Sequence, residues 1–274
     1  MLKAEGLEYE VRGEGEPVLL IHGSHVADAL LPLAREPVLA DRFRLIQYHR
    51  RGFGGSDAHT GPFSIEQQAR DARRLVQKLE PGPVHVVGYS YGALTAIQLA
   101  LDAPSAVRSL VLLEPPLRRV NEDPATSPVF SPLLELYRSG DARGAVDAFM
   151  RIVGGPDWRA EVSGTVPGGP EQAEKDAATF FEVELPALQG WSVDRDKASR
   201  ISQPVLYVTG SESGSLVDPP KQLFLSSLPH AEEAVLPGLN HLLQMRNPSL
   251  VAHRIADFLA RHPLNRPTAR RRLS

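Results

Sequence analysis

Short apolar runs and amphipathic stretches alternate along most of this chain. Val18-Leu19-Leu20-Ile21 is continuously apolar, the pattern of a strand buried on both faces of a mainly parallel sheet. Leu7 to Arg12 alternates like an edge strand and leaves through a turn at Gly13-Glu14-Gly15-Glu16-Pro17. Further strands are predicted at Arg44 to Tyr48, Val84 to Val87, Val107 to Leu113, Val205 to Thr209 and Glu232 to Leu236. The segments between them read as helices. Val26 to Ala40 is one such stretch, interrupted by Pro32 and Pro37. Ser64 and Gln67 form a capping box for a helix that aligns Ile65, Ala69, Ala72, Leu75, Val76 and Leu79 and stops before Pro81. Others follow Gly92, cover about Pro219 to Leu228, and start at Asn247-Pro248 with Val251, Ile255, Phe258 and Leu259 inward. Strands alternating with helices predict an α/β fold: a mostly parallel sheet with helices on both faces.

The alternation lapses between Pro116 and Ser202. A short helix is predicted from Ser131-Pro132, and another from Asp141 with Ala145, Val146, Phe149, Met150 and Val153 on one stripe. A loop rich in glycine and proline, from Gly154 to Pro170, is expected to gate the site, and a third helix carries Ala173, Ala177, Phe180, Phe181 and Leu185. This predicts a small helical cap inserted into the sheet domain. The division is residues 1–115 and 203–263 for the core, 116–202 for the cap, and 264–274 for a disordered basic tail.

With 274 residues and 42% hydrophobic content, the chain can bury one large α/β core with an insertion. A net charge of -3 gives no reason to expect nucleic acid or an anionic membrane as partner. There are no cysteines, so disulfides and thiolate metal sites are excluded. No apolar run approaches the ~20 residues of a membrane span, and Met1 to Gly6 lacks the apolar stretch of a secretory signal. A soluble, cytoplasmic protein acting on a small molecule is expected.

The candidate chemistry centres on Gly88-Tyr89-Ser90-Tyr91-Gly92, between a predicted strand and a predicted helix. In that context Gly-x-Ser-x-Gly is a nucleophile elbow: a sharp turn presents the serine hydroxyl, and glycines two positions either side avoid a Cβ clash. The helix starting at Tyr91 aims N–H groups at an anion forming beside Ser90. Ser24 and Glu114 fall at carboxyl ends of other strands, where ligands bind in such sheets.

These motifs, with His22-Gly23, Arg50-Arg51-Gly52-Phe53-Gly54-Gly55-Ser56-Asp57 and Gly238-Leu239-Asn240-His241, resemble the α/β-hydrolase superfamily over Leu7 to Leu259. The resemblance implies Ser90 as nucleophile, His241 as general base and acid, and backbone N–H groups of Ser24 and Tyr91 as oxyanion hole, with no cofactor and no metal. His49 stands where many members have an aspartate. The acid also departs from the pattern. Most relatives carry it three residues past the glycine that follows the Val205–Thr209 strand, which here is Ser213. Glu114 is the expected substitute, as in zearalenone lactonases and one branch of haloalkane dehalogenases, with Glu212 and Asp218 as alternatives. Candidate substrate contacts are His25, Phe149, Trp158, Phe180, Phe181 and Trp191. The expected activity is hydrolysis of an apolar carboxylic ester or lactone. A carbon–carbon bond hydrolase, a cyclase or lyase with the same triad, and a non-catalytic ligand-binding receptor are the alternatives.

Overall fold

The computed structural model describes residues 1–117, 127–214 and 220–264. Its strands are β1 (Leu2–Ala4), β2 (Leu7–Arg12), β3 (Glu16–Ile21), β4 (Phe43–Tyr48), β5 (Val84–Tyr89), β6 (Val107–Leu113), β7 (Val205–Gly210) and β8 (Glu232–Leu236). They form one eight-stranded sheet in the order β1-β2-β4-β3-β5-β6-β7-β8. The pairings β1–β2 and β2–β4 are antiparallel and the rest are parallel. β5 and β7 are buried along their whole lengths, as their largely apolar character suits, with the His85 ring of β5 hydrogen-bonded to Ser109 Oγ (2.7 Å). β3 lies between β4 and β5, so the chain order reverses there. The crevice at the carboxyl ends of β3 and β5 is therefore the topological switch point, the natural ligand site of an open α/β sheet.

Proline and capping chemistry set the helix breaks. The stretch after β3 is two single turns, α1 (Leu31–Ala34) and α2 (Pro37–Ala40), because Pro32 and Pro37 fit only a first helical turn. α3 (Ile65–Leu79) starts at the expected capping box, in which Ser64 Oγ accepts from Gln67 N–H (3.3 Å) and Gln67 Oε1 from Ser64 N–H (2.7 Å). α4 (Tyr91–Asp102) follows β5 directly.

Between β6 and β7 the chain forms α5 (Phe130–Arg138), α6 (Ala142–Gly154), α7 (Trp158–Thr165), α8 (Gly169–Lys175), a π-helical segment (Thr179–Glu184), α9 (Leu185–Gln189) and α10 (Arg195–Ser199). The expected gating loop from Gly154 to Pro170 is thus largely helical. Its glycines and prolines punctuate α7, whose Trp158 and Val162, one turn apart, are both buried. The expected helix through Ala173 and Leu185 is divided, since α8 ends at Lys175 and a π-helical segment carries the chain to α9. The remaining helices are α11 (Pro220–Ser226), α12 (Leu243–Arg246) and α13 (Pro248–Arg261). Asp218 and the expected tail beyond Leu264 lie outside the described residues. No described helix is long and apolar enough to cross a membrane.

His49 ties the antiparallel edge to the loop after β3. Its Nδ1 meets Glu8 Oε2 (2.9 Å) and its Nε2 meets Asp28 Oδ1 (3.0 Å). Burial alone would lower the His49 pKa, but hydrogen bonds and charges from Asp28 and Glu8 outweigh it and raise the pKa above its usual 6.5. A raised folded-state pKa stabilises the fold fully below the unfolded value and loses that contribution as pH rises through the folded value. The melting temperature of His49→Gln is therefore expected to fall furthest below wild type under pH 6.5 and to converge on it at higher pH. A gap that widens with rising pH would contradict this charge assignment.

Candidate active site

Close packing at the elbow demands its glycines. A Cβ on Gly88 would stand 2.6 Å from the Ala93 Cα, and one on Gly92 would overlap the carbonyl oxygens of Ile21 and His22. A Cβ on Gly23 would stand 2.9 Å from the Cβ of Ser90, so the loop after β3 runs hard against the elbow. Ser90 itself has φ +50° and ψ −123°, a conformation that costs an L-residue about 1–3 kcal/mol. Its N–H bonds Leu113 O and its carbonyl accepts from Ala93 N–H, both at 2.8 Å, which holds the turn.

The turn aims the Ser90 hydroxyl at His241. Ser90 Oγ and His241 Nε2 are 3.0 Å apart, and His241 Nδ1 lies 3.3 Å from Glu114 Oε2. The loop bearing His241 is held from two sides. Tyr89 hydroxyl donates to the His241 carbonyl (3.0 Å), and Asn240 bridges Gly154 O (2.8 Å) and Leu242 N–H (3.0 Å). Glu114 is wholly buried, with φ +52°. Its Oε1 accepts from Gly210 N–H (2.5 Å) and Ser213 Oγ–H (2.6 Å), which leaves Oε2 for the imidazole. Ser213 thus sits where the more usual acid was sought and supports Glu114 instead. Glu212 is exposed.

The loop after β3 is fixed from behind by Arg50. Its guanidinium donates to His22 O (3.0 Å), Gly23 O (2.8 Å) and Gln68 Oε1 (2.5 Å), and pairs with Glu184 Oε1 at 2.5 Å. His22 completes the brace: its Nε2 accepts from Arg50 N–H (2.8 Å), so its Nδ1 carries the proton donated to Gly23 O (2.7 Å). Burial, then the charges of Arg50 and His49, hold the His22 pKa well below its usual value, which keeps the ring neutral.

Ser24, Ser90 and His241 line one cleft of about 300 Å³, part of it open to solvent, with Phe149, Met150 and Val153 of α6 forming the opposite wall. Of the expected contacts only Phe149 lines the cleft; His25, Phe180 and Phe181 do not line it and form an aromatic layer packed against Phe149. Trp158 and Trp191 do not line the cleft. Trp158 is committed to Asp147 (3.0 Å) within the insertion, and Trp191 to Gln98 of α4 (2.8 Å). Sequence reasoning named Ser213 only as a position without the usual acid and Arg50 only within a family motif, gave neither a role, and passed over Glu184. Glu184 had a usable signal: it falls on the helical stripe of Ala177, Phe180 and Phe181, where a carboxylate must find a buried partner. Among the described residues, no cluster of three or more His, Asp or Glu side chains is arranged to hold a metal ion.

The alpha/beta hydrolase fold model matches residues 16–248 of this chain. A putative carbamate hydrolase of Variovorax paradoxus (strain S110) is 28% identical over 93% of this chain and 96% of its own length. The 2-(acetamidomethylene)succinate hydrolase of Mesorhizobium japonicum is 29% identical over 92% and 91%. An identically described carbamate hydrolase from Azorhizobium caulinodans reaches 36%, but this chain spans only about 40% of its length. Among solved structures, the enol-lactonase of Burkholderia xenovorans LB400 superposes with a TM-score of 0.78 at 20% identity, covering 93% of this chain and 96% of that one.

Proposed function

Because this chain belongs to the alpha/beta hydrolase fold family, we propose that it is a serine hydrolase cleaving a carboxylic ester or lactone through an acyl-enzyme on Ser90. The observation that carries this reading is the continuous line from Glu114 through His241 to Ser90, at 3.3 and 3.0 Å. Ser90 Oγ attacks the carbonyl carbon while His241 Nε2 takes its proton. Glu114 orients the ring and stabilises the imidazolium. The carbonyl oxygen becomes an anion held by the N–H groups of Tyr91 and Ser24. His241 then gives its proton to the leaving oxygen, and deacylation repeats the sequence with water as nucleophile.

The helices between β6 and β7 act as a cap that supplies the apolar wall at Phe149, Met150 and Val153. The cleft's lining suits a largely apolar substrate. The relatives' names support carbonyl chemistry in general, since carbamates and enol-lactones both offer an acyl carbonyl carbon to a nucleophile. Their leaving groups differ, so the choice of ester or lactone rests on the site.

A phosphonate probe tests the proposal. One equivalent is expected to attach at Ser90, with none taken up by Ser90→Ala, and short p-nitrophenyl esters are expected to turn over. Labelling elsewhere, or no labelling of the folded protein, would sink it.

A further inference from the structure

Among the described residues, only four non-glycine positions have positive φ: Glu5, His25, Ser90 and Glu114. Ser90 and Glu114 are the proposed nucleophile and acid, and His25 lies behind the same cleft, next in chain to Ser24 and packed on Phe149, both of which line it. Its φ is +65°, and Val26 N–H bonds Ser24 O across it at 2.8 Å, making a γ-turn of the rarer, positive-φ kind. Such strain persists only where the surroundings impose it, and it concentrates at functional sites.

The side chain adds a second, independent anomaly. His25 is wholly buried, yet neither Nδ1 nor Nε2 has a hydrogen-bond partner among the described residues. Its ring is covered instead by Phe180 and Phe149, with centroids 4.3 and 4.8 Å away. Burial pushes its pKa down to about 3, so the ring is a neutral imidazole with one donor and one acceptor. An apolar side chain would fill an aromatic layer without leaving polar atoms unsatisfied. His25 therefore has the hydrogen-bonding capacity of a recognition group and no internal use for it.

We propose that His25 is a specificity residue that hydrogen-bonds an uncharged polar group, such as a hydroxyl, oxo or amide, on the acyl part of the substrate. The inference rests on the serine-hydrolase reading and specifies its substrate. The leaving group must lie by His241 to receive its proton, whereas His25 follows the cleft-lining Ser24 on the oxyanion side. Its ring is covered by Phe149, which lines the cleft and has to move for the retained acyl part to reach it. Adjacent Cα atoms are about 3.8 Å apart, so the recognised group lies a few bonds from the scissile carbonyl. The surrounding phenylalanines make a charged group unfavourable there. The substrate class is thus an ester or lactone with a neutral polar substituent near the carbonyl on an otherwise apolar acyl chain.

The test compares p-nitrophenyl alkylphosphonates that differ only in a hydroxyl on the second, third or fourth carbon of the retained chain. Phosphonylation is followed by p-nitrophenolate release and located at Ser90 by mass spectrometry. One hydroxylated probe is expected to react about tenfold or more faster than its plain counterpart with wild type. The ratio should fall towards one in His25→Phe and stay partly raised in His25→Gln, whose amide still donates and accepts. Equal rates at every hydroxyl position in wild type, or a preference that survives His25→Phe, would overturn the role of His25 and leave the hydrolase reading standing. Failure of every probe to label wild type would remove the hydrolase reading and this inference with it. Should His25→Phe not fold, ¹⁵N shifts of the wild-type His25 ring decide. They are expected to differ between the hydroxylated and plain adducts, and identical shifts would overturn the proposal.

Discussion

Exchanging Glu114 for glutamine is expected to lower kcat on a p-nitrophenyl ester by about three to four orders of magnitude, with little change in stability. Gly210 N–H and Ser213 Oγ–H both donate to Oε1. A glutamine at 114 must keep its carbonyl oxygen against those two donors, which turns its amide N–H₂ towards His241 Nδ1. That nitrogen then has to accept, so the proton moves to Nε2, the atom that faces Ser90 at 3.0 Å. The imidazole is left in the tautomer that cannot take the serine proton. Adding Ser213→Asp supplies a carboxylate from a position whose present hydroxyl lies 2.6 Å from Glu114. The double variant is expected to regain at least about tenfold of the lost kcat, because the imidazolium again has a charge partner. Normal turnover in Glu114→Gln would remove Glu114 from the triad.

What could be read from the chain alone was what is local. The strand run before Gly88, the capping box at Ser64 and the prolines at 32 and 37 act within a few residues, so pattern reading finds them or lands close. The elbow is local as well, because its glycines answer to atoms of the same turn or of the neighbouring β3 end. The pairing of Glu114 with His241 spans 127 residues, and only a resemblance anticipated it. The support from Ser213 had no local trace, since a serine in a loop is commonplace. The Gly154–Pro170 stretch misled because glycine and proline punctuate short helices as readily as loops, and the burial of Trp158 that decides between them is tertiary. His25 shows the same limit. No pattern signals that a histidine beside a His-Gly turn will be sealed under Phe149 and Phe180.

Glu184→Ala is expected to destabilise the fold by about 3–5 kcal/mol, read from urea unfolding near neutral pH. Both Arg50 and Glu184 are essentially unexposed, so removing the carboxylate leaves a guanidinium buried without its counter-charge. Burial raises the Glu184 pKa despite the charge of Arg50 and hydrogen bonds from Ser24 and Arg50. Removing both charges from water is costly, so a buried pair of this kind is a poor stabiliser compared with two apolar side chains. Its worth lies in position. Arg50 holds the carbonyls of His22 and Gly23, immediately before Ser24, while Glu184 comes from the π-helical segment of the insertion. The pair thus couples the insertion to the loop proposed to bind the oxyanion. A double variant that also replaces Arg50 by methionine is not expected to recover the loss, because both carbonyls lose their donor. Glu184→Gln keeps an acceptor for Arg50 and should lose markedly less than Glu184→Ala. Equal urea midpoints for wild type and Glu184→Ala would mean that this ion pair does not constrain the folded state.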